Sequence, residues 1–430
     1  MVASGAQAQD VTCQGKPATV VGPTEGAINT NGTQGDDVIV APVGPYGTVQ
    51  GLGGNDTICL VDGLPSTLAD QAVSVLAGAG NDSVVNEAVG FPGILTVELG
   101  AGADRYVGAD YGERVSGASS DPPVPDTESD TIETRGGNDD ITSGSPGVAD
   151  VDTIATGSGD DRVVYQGAAG GTLDNGPGAD YLLFTNGWTG ELAVDDLARR
   201  ATIGGGTVLT WTAVTAFWME TSPGSTVSFV GSDADETLDI VSPTGDLVVP
   251  SEISTGGGDD SVALTSYLPA SVDLGDGHDS FGYAACHRAY VALDVSAECL
   301  TKDGREVSTA IAGIESFSGS SGNGLTVRGT ERADRVVVAA RHVLVRSGPG
   351  ADRVRVYGDR TAQVVGGRGA DRLRADSSEG AVVRGGWGGD VLRGSSGPDT
   401  LLGGPGQDTA HGKQGRDVCV AEVRDSCRLP

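Results

Sequence analysis

Aromatic residues make up only 4% of the 430-residue chain, which holds two methionines and four histidines. So few large side chains exclude the core of an ordinary globular domain of this length. His278, His287, His342 and His411 are scattered, without the H-E-x-x-H spacing of a catalytic metal site, and no G-x-S-x-G serine accompanies them. No C-x-x-C pair, phosphate-cradling Walker loop or D-x-D-x-D-G calcium loop occurs. No run of 18 apolar residues is present, so no membrane-spanning helix is expected. Positive charge is also scarce: 27 lysines and arginines face 59 acids, a formal net charge of −32. That balance argues against nucleic acid and anionic membrane as partners. Few aromatics with so large a charge is the composition of a disordered chain. A fold is therefore expected to be loose until cations offset the repulsion.

What the chain has in abundance is glycine, 70 residues of it. From Gly385 to Asp417 the glycines keep a nine-residue rhythm, with an aspartate at 390, 399, 408 and 417. Gly-Gly-x-Gly-x-Asp at the head of a nonapeptide describes half a turn of a parallel β-solenoid. Its glycines permit a tight loop with positive φ, and the aspartate faces the loop interior, where a cation can sit.

The rhythm extends upstream when each turn aspartate is taken as zero. Apolar residues stand seven before it and two after: Val49 and Ile58 about Asp56, Val75 and Val84 about Asp82, and Val97 and Tyr106 about Asp104. The pattern continues with Ile132 and Ile141 about Asp139, Ile154 and Val163 about Asp161, and Leu173 and Leu182 about Asp180. Ile253 and Val262 flank Asp260, Val272 and Phe281 flank Asp279, Val345 and Val354 flank Asp352, Val364 and Leu373 flank Asp371, and Val383 and Leu392 flank Asp390. This is strand, turn, strand, with one apolar side chain pinned on each side and alternation of period two beyond it. The fold class expected is all-β: a parallel β-roll or β-solenoid with two short strands per rung of about 18 to 22 residues.

Two stretches break the tempo, 181–235 and 280–333. They resemble each other at an offset of 99, with Leu192-Ala193-Val194-Asp195 against Val291-Ala292-Leu293-Asp294 and Trp218 against Phe317. They read as a duplicated block of degenerate rungs whose turns have lost the aspartate. Residues 119–129, with Pro122, Pro123 and Pro125, read as a polar excursion from a rung. The expected organisation is a leader remnant over 1–12, divergent rungs over 13–180, the degenerate block over 181–335, and a regular calcium-binding block with a disulfide cap over 336–430. Trp188, Trp211 and Trp218 fall in one irregular segment and read as plugs for a widened core, with a sugar-stacking platform as the alternative.

Six cysteines permit fifteen connectivities. Proximity in sequence suggests 13–59, 286–299 and 419–427, the last closing the open end of the solenoid. Ala6-Gln7-Ala8 matches a small-residue cleavage signature. Together these point to export into an oxidising, extracellular setting.

Calcium wants six to eight oxygens, more than one Gly-x-Asp loop supplies, so a site needs two stacked loops. The strongest stack is Asp352, Asp371, Asp390 and Asp408. Asp399 and Asp417, eighteen apart, form a second stack on the opposite edge, and Asp37 with Asp56, Asp161 with Asp180, and Asp260 with Asp279 are earlier pairs nineteen apart. Four consecutive nonapeptides over 385–419, with Gly366-Gly367-Arg368-Gly369-Ala370-Asp371-Arg372-Leu373 upstream, resemble the RTX (repeats-in-toxin, hemolysin-type) calcium-binding family. The resemblance is strong over 348–419 and weaker back to residue 32. It implies that Asp371, Asp390, Asp399 and Asp408 bind Ca2+ between stacked turns. The chain departs from the family pattern where Ser395 and Lys413 replace the second glycine, where Ala410 and Cys419 take the apolar position, and where Arg332 replaces the glycine before Asp334. No pore-forming or protease segment accompanies the repeats.

Adjacent acids at Asp36-Asp37, Asp139-Asp140, Asp160-Asp161 and Asp259-Asp260 invite an acid/base reading. Neighbours at a strand end diverge, however, and the register already uses the second of each pair. No catalytic residue is expected. The function expected is that of a secreted, non-enzymatic calcium-binding solenoid with a structural or cell-surface role and an unidentified extracellular polymer or protein partner. The alternatives are an adhesin, for which flat threonine ladders are missing in the sequence, and a right-handed β-helix enzyme that degrades polysaccharides.

Overall fold

In the computed structural model most rungs are two short strands joined by glycine-rich turns, while Ser316–Arg328, Arg335–Pro349 and Arg353–Arg368 each run on as one long strand. Residues 11–23, 29–44, 46–63, 72–89, 91, 93–120, 123–185, 188–242, 251–266, 268–302 and 304–427 are described. The Ala6-Gln7-Ala8 signature and Pro122 lie outside them. The chain divides into two compact units, Met1–Ser225 and Thr226–Pro430.

In the first unit, parallel strands stack in two ladders. One runs through Val38–Val43, Thr57–Asp62, Ser83–Asn86, Arg105–Val107, Thr131–Glu133, Thr153–Ala155 and Gly171–Asp174. Its inward side chains form a column in register: Ile39, Ile58, Val84, Tyr106, Ile132, Ile154, Leu173 and Trp211. The other ladder carries the column Val49, Val75, Val97, Val115, Ile141, Val163, Leu182 and Phe217. All of these are buried. They are the residues expected seven before and two after each turn aspartate, joined by Ile39, Val115, Trp211 and Phe217. A thin aliphatic interior of this kind is why the chain manages with few aromatics: each rung hides its apolar side chains against the next.

The second unit repeats the scheme. One column is Leu238, Val262, Phe281, Phe317, Val336, Val354, Leu373, Leu392 and Ala410. Another is Val291, Val327, Val345, Val364, Val383, Leu401 and Cys419. The small Ala410 and Cys419, departures from the nonapeptide pattern, occupy the same core columns as the larger residues before them.

The two stretches that break the tempo are not simply degenerate rungs. In each, the chain folds back into an antiparallel meander. Glu191–Asp195 pairs with Arg200–Ile203, which pairs with Gly206–Thr212. Ser280–Ala292 pairs with Ser296–Leu300, which pairs with Glu306–Ala312. Tight reversals replace the Gly-x-Asp corner, using left-handed Arg199, Gly204 and Gly205 in the first block and Asp294 and Gly304 in the second. The aspartates shared by the two sequences, Asp195 and Asp294, stand at equivalent reversals.

Trp211 fills its core column edge-on to Phe217, with ring centroids 5.7 Å apart, and its indole N–H donates to Asp196 at 2.7 Å. Trp188 is buried too, whereas Trp218 is half-buried. Buried rings of this kind serve as plugs. One expectation is corrected outright: a threonine ladder does exist. Thr131, Thr153, Thr172 and Thr210 lie in register and point outward. Their irregular sequence spacing, which includes a whole meander between Thr172 and Thr210, hides the ladder.

Three disulfides join Cys13 to Cys59, Cys286 to Cys299 and Cys419 to Cys427, the pairing expected from proximity. Among the described residues no helix is long and apolar enough to cross a membrane.

Candidate metal centre

The turn acids stand directly above one another. In the first unit the backbone N–H of Asp37 donates to Asp56 Oδ1, and the same bond recurs from Asp56 to Asp82, Asp82 to Asp104, Asp104 to Asp130 and Asp130 to Asp152, at 2.7 to 2.9 Å. A second column runs Glu113, Asp139, Asp161, Asp180 and ends on the Thr215 hydroxyl. In the second unit one column is Glu236, Asp260, Asp279 and Glu315. Another is Asp334, Asp352, Asp371, Asp390, Asp408 and Glu422. Asp399 accepts from Ala381 and donates to Asp417. The structure therefore brings together every stack expected from the sequence: 352 with 371, 390 and 408; 399 with 417; 37 with 56; 161 with 180; and 260 with 279.

It also adds acids that regular spacing missed. Asp82, Asp104, Asp130 and Asp152 continue the column from Asp56, although the rungs between them are 22 or 26 residues long. Loops on the far side of a rung lengthen it without moving its corner. The overlooked signal is Asp-Thr-Ile, which occurs at 56–58, 130–132 and 152–154. Nine residues also separate Asp130 from Asp139 and Asp152 from Asp161, so the half-turn rhythm of the C-terminal repeats recurs there.

One carboxylate oxygen of each acid after the first in its column accepts the N–H of the acid in the preceding rung. The fate of the other depends on the residue four positions before the acid. At Gly78, Gly100, Gly157, Gly176, Gly256, Gly275, Gly348, Gly386 and Gly404 that residue has positive φ, as do Leu52, Arg135 and Lys413. In these turns Oδ2 of Asp56, Asp82, Asp104, Asp139, Asp161, Asp180, Asp260, Asp279, Asp352, Asp390, Asp408 and Asp417 is buried without a hydrogen-bond partner, as are Asp130 Oδ2 and Asp371 Oδ2. Where the residue is serine or threonine, it donates to the acid of its own turn. The Thr33 N–H and hydroxyl donate to Asp37 Oδ2 at 2.6 and 2.8 Å. The Thr330 N–H donates to Asp334 Oδ2 and its hydroxyl to Oδ1, and Ser395 donates N–H and hydroxyl to Asp399. Ser232 donates to Glu236 Oε1. Asp37 and Asp399 thus stand in their columns as expected, but with both oxygens already engaged.

The first acid of each column is hydrogen-bonded within its own turn. Asp37, Glu236, Asp334 and Asp399 use a hydroxyl, and Glu113 uses the Ala109 N–H together with the Asn86 side chain.

Burial makes several of these carboxylates hard to ionise. It pushes Asp82 and Asp104 up to about 7, reinforced by the charges of Asp104 and Asp56 on the former and of Asp126 and Glu128 on the latter. Asp130 rises to about 9 through burial and the charges of Asp126, Asp104 and Asp152. Asp371 rises to about 6 through burial and its neighbours Asp352 and Asp390. In Asp37, by contrast, burial is outweighed by the bonds from Thr33 and Thr19, and the carboxyl is held below its ordinary value.

The first residue of each nonapeptide must be glycine for a related reason. A Cβ on Gly366 would collide with both Asp371 Oδ2 and the Gly385 carbonyl of the next rung, and a Cβ on Gly385 with Asp390 Oδ2 and the Gly403 carbonyl. Missing side chains thus leave a cradle bordered by an unpartnered carboxylate oxygen and a carbonyl oxygen. Those are the hard ligands a calcium ion takes. The residues present fit that ion.

Position −1 explains three of the four paired acids. Asp36 Oδ1 accepts the Asn55 N–H, Asn55 Oδ1 accepts that of Asn81, and Asn81 Oδ1 accepts that of Ala103. Asp160 and Asp259 do likewise for Ala179 and His278. These neighbours build a second, solvent-side ladder beside the buried one.

Comparison with known families matches the RTX calcium-binding nonapeptide repeat in four copies, over residues 126–145 and 384–419. The first segment contains Asp130 and Asp139, and the second contains Asp390, Asp399, Asp408 and Asp417. No curated protein matches the chain.

Proposed function

Because the chain is a calcium-binding β-roll protein carrying RTX nonapeptide repeats, we propose that it is a secreted, non-enzymatic solenoid completed and stiffened by several calcium ions. The observation that carries this reading is the run of buried, unpartnered carboxylate oxygens stacked rung upon rung. Asp352, Asp371, Asp390 and Asp408 would hold ions in the second unit together with Asp260, Asp279 and Asp417. Asp56, Asp161 and Asp180 would do so in the first, with Asp82, Asp104 and Asp139. When bound, calcium supplies positive charge and a demand for oxygen ligands. The protein's part is to align one acid per rung, present glycine carbonyls beside it, and keep side chains out of the cradle.

A structural role follows from linkage. An ion bound by the folded chain alone adds its binding free energy to folding, about 2.7 kcal/mol per site at a hundredfold excess over Kd. Three disulfides support an oxidising, extracellular compartment. The adjacent acids favour no catalytic role, since one of each pair is spent on the buried column.

Circular dichroism and thermal melts in chelator and in millimolar Ca2+ test the reading. Calcium is expected to raise β signal and melting temperature and to bind with a stoichiometry of several ions per chain. Identical melts with no bound calcium would sink it.

A further inference from the structure

Charge is distributed very unevenly along the sequence. Residues 331–430 hold 16 of the 27 lysines and arginines but only 13 of the 59 acids. Much of this positive charge is gathered on one outward sheet face of the second unit. At the position just after the turn acid, strands in register read Ser280, Ser316, Arg335, Arg353 and Arg372. Two residues further on they read Gly282, Ser318, Val337, Arg355, Arg374 and Arg393. The first column changes to arginine at the Arg335 rung, and the second one rung later, at Arg355. Buried Val336, Val354, Leu373 and Leu392 alternate with these positions, so the arginines share the solvent face.

Folding does not account for this arrangement. Like charges directly opposite on neighbouring strands, about 4.8 Å apart, oppose pairing. Arg374 is compensated by Asp376 at 2.8 Å, and Arg355 lies over the Tyr357 ring at 4.8 Å. Among the described residues Arg335, Arg353, Arg372 and Arg393 form no ion pair.

We propose that this arginine face binds an acidic polysaccharide, a linear polymer of uronate or sulfated sugars laid across the strands. Guanidinium groups recognise carboxylate and sulfate in a planar, two-pronged fashion. Their repeat of about 4.8 Å suits an extended chain bearing one anion per sugar. Tyr357, partly exposed at the edge of the face, adds a ring of the kind on which sugars pack. A flat sheet face with a single repeat distance favours such a polymer over a folded protein partner. The inference does not depend on calcium occupancy.

The test uses the full-length protein in calcium-containing buffer, with dextran sulfate and polygalacturonate as probes, neutral dextran as control and oligothymidylate as competitor class. Both acidic polysaccharides should bind and neutral dextran should not, with release as sodium chloride is raised. Arg353→Ser/Arg355→Ser/Arg372→Ser should weaken binding at least tenfold, while calcium stoichiometry and circular dichroism stay unchanged. Arg105→Ser, on the first unit, should leave binding unaltered. Equal binding by the triple variant, no binding of either acidic probe, or tighter binding of oligothymidylate than of both would overturn the proposal.

Discussion

Asp390 and Asp399 are nine residues apart, in successive half-turns of one repeat, yet their turns leave them in opposite states. Gly386 adopts positive φ and leaves Asp390 Oδ2 buried with no partner, whereas Ser395 closes on Asp399 with N–H and hydroxyl together. The same contrast separates Asp56 from Asp37 and Asp352 from Asp334. Both kinds of turn keep the bond to the neighbouring rung, so the column is a feature of the backbone. What differs is whether the turn or something else must satisfy the second oxygen. Asp37, Asp334 and Asp399 are the first acids of their columns, with no acid in the rung before them. They behave as caps from which the demanding turns continue.

The largest test of this contrast exchanges the two acids for their amides. Asp390→Asn should remove about one calcium ion per chain and much of the calcium-induced rise in melting temperature. In chelator the same variant should melt higher than the parent, since a buried unpaired carboxylate has been replaced by a neutral group. Asp399→Asn should leave calcium stoichiometry unchanged. Isothermal calorimetry with paired melts decides it, and equal loss of calcium from both variants would erase the distinction between turn types.

A smaller effect is expected from pH. Asp82, Asp104 and Asp139 have folded-state values near 7 and Asp130 near 9, all above the ordinary value of 3.8. The folded chain then binds protons more tightly than the unfolded one, so stability without metal falls as pH rises from about 4 through 7 and on toward 9. Melting temperature in chelator should therefore be higher at pH 5 than at pH 8. With calcium the order should reverse, because protons compete for the same oxygens. A melting temperature in chelator that is flat from pH 5 to 8 would show that these carboxylates are not held as the packing requires.

Much of this was legible in the sequence because a parallel rung constrains identity at few positions and constrains them strictly. Val364, Asp371 and Leu373 announce a corner wherever they recur at fixed offsets. The columns through Asp130, Asp152 and Glu113 were not legible, since their turns lack the glycine two residues before the acid and their rungs carry loops of unequal length. The meanders at 191–212 and 280–312 escaped for a different reason: antiparallel reversal changes strand direction without changing the period-two pattern. The threonine ladder was hidden because sequence distance between in-register residues grows with every insertion. The state of Asp37 and Asp399 was written in Thr33 and Ser395, but it needed the turn's geometry to show that a hydroxyl there meets the acid.

The finest test concerns that hydroxyl. Neither Ser395 nor Thr330 has positive φ, so glycine at either place introduces no clash and removes only a side chain. If the hydroxyl is what keeps the acid self-satisfied, Ser395→Gly and Thr330→Gly should each loosen the hold on Asp399 or Asp334 and raise calcium stoichiometry by about one. In chelator each should cost roughly 1 kcal/mol, the scale of one lost hydrogen bond partly offset by retained backbone donation. Ser395→Thr should change neither quantity, since it keeps the hydroxyl. A gain of calcium in the glycine variants but not in the threonine variant would place the control at a single side chain four residues before the acid. An unchanged stoichiometry in all three would instead assign it to the backbone conformation that glycine-turn residues adopt.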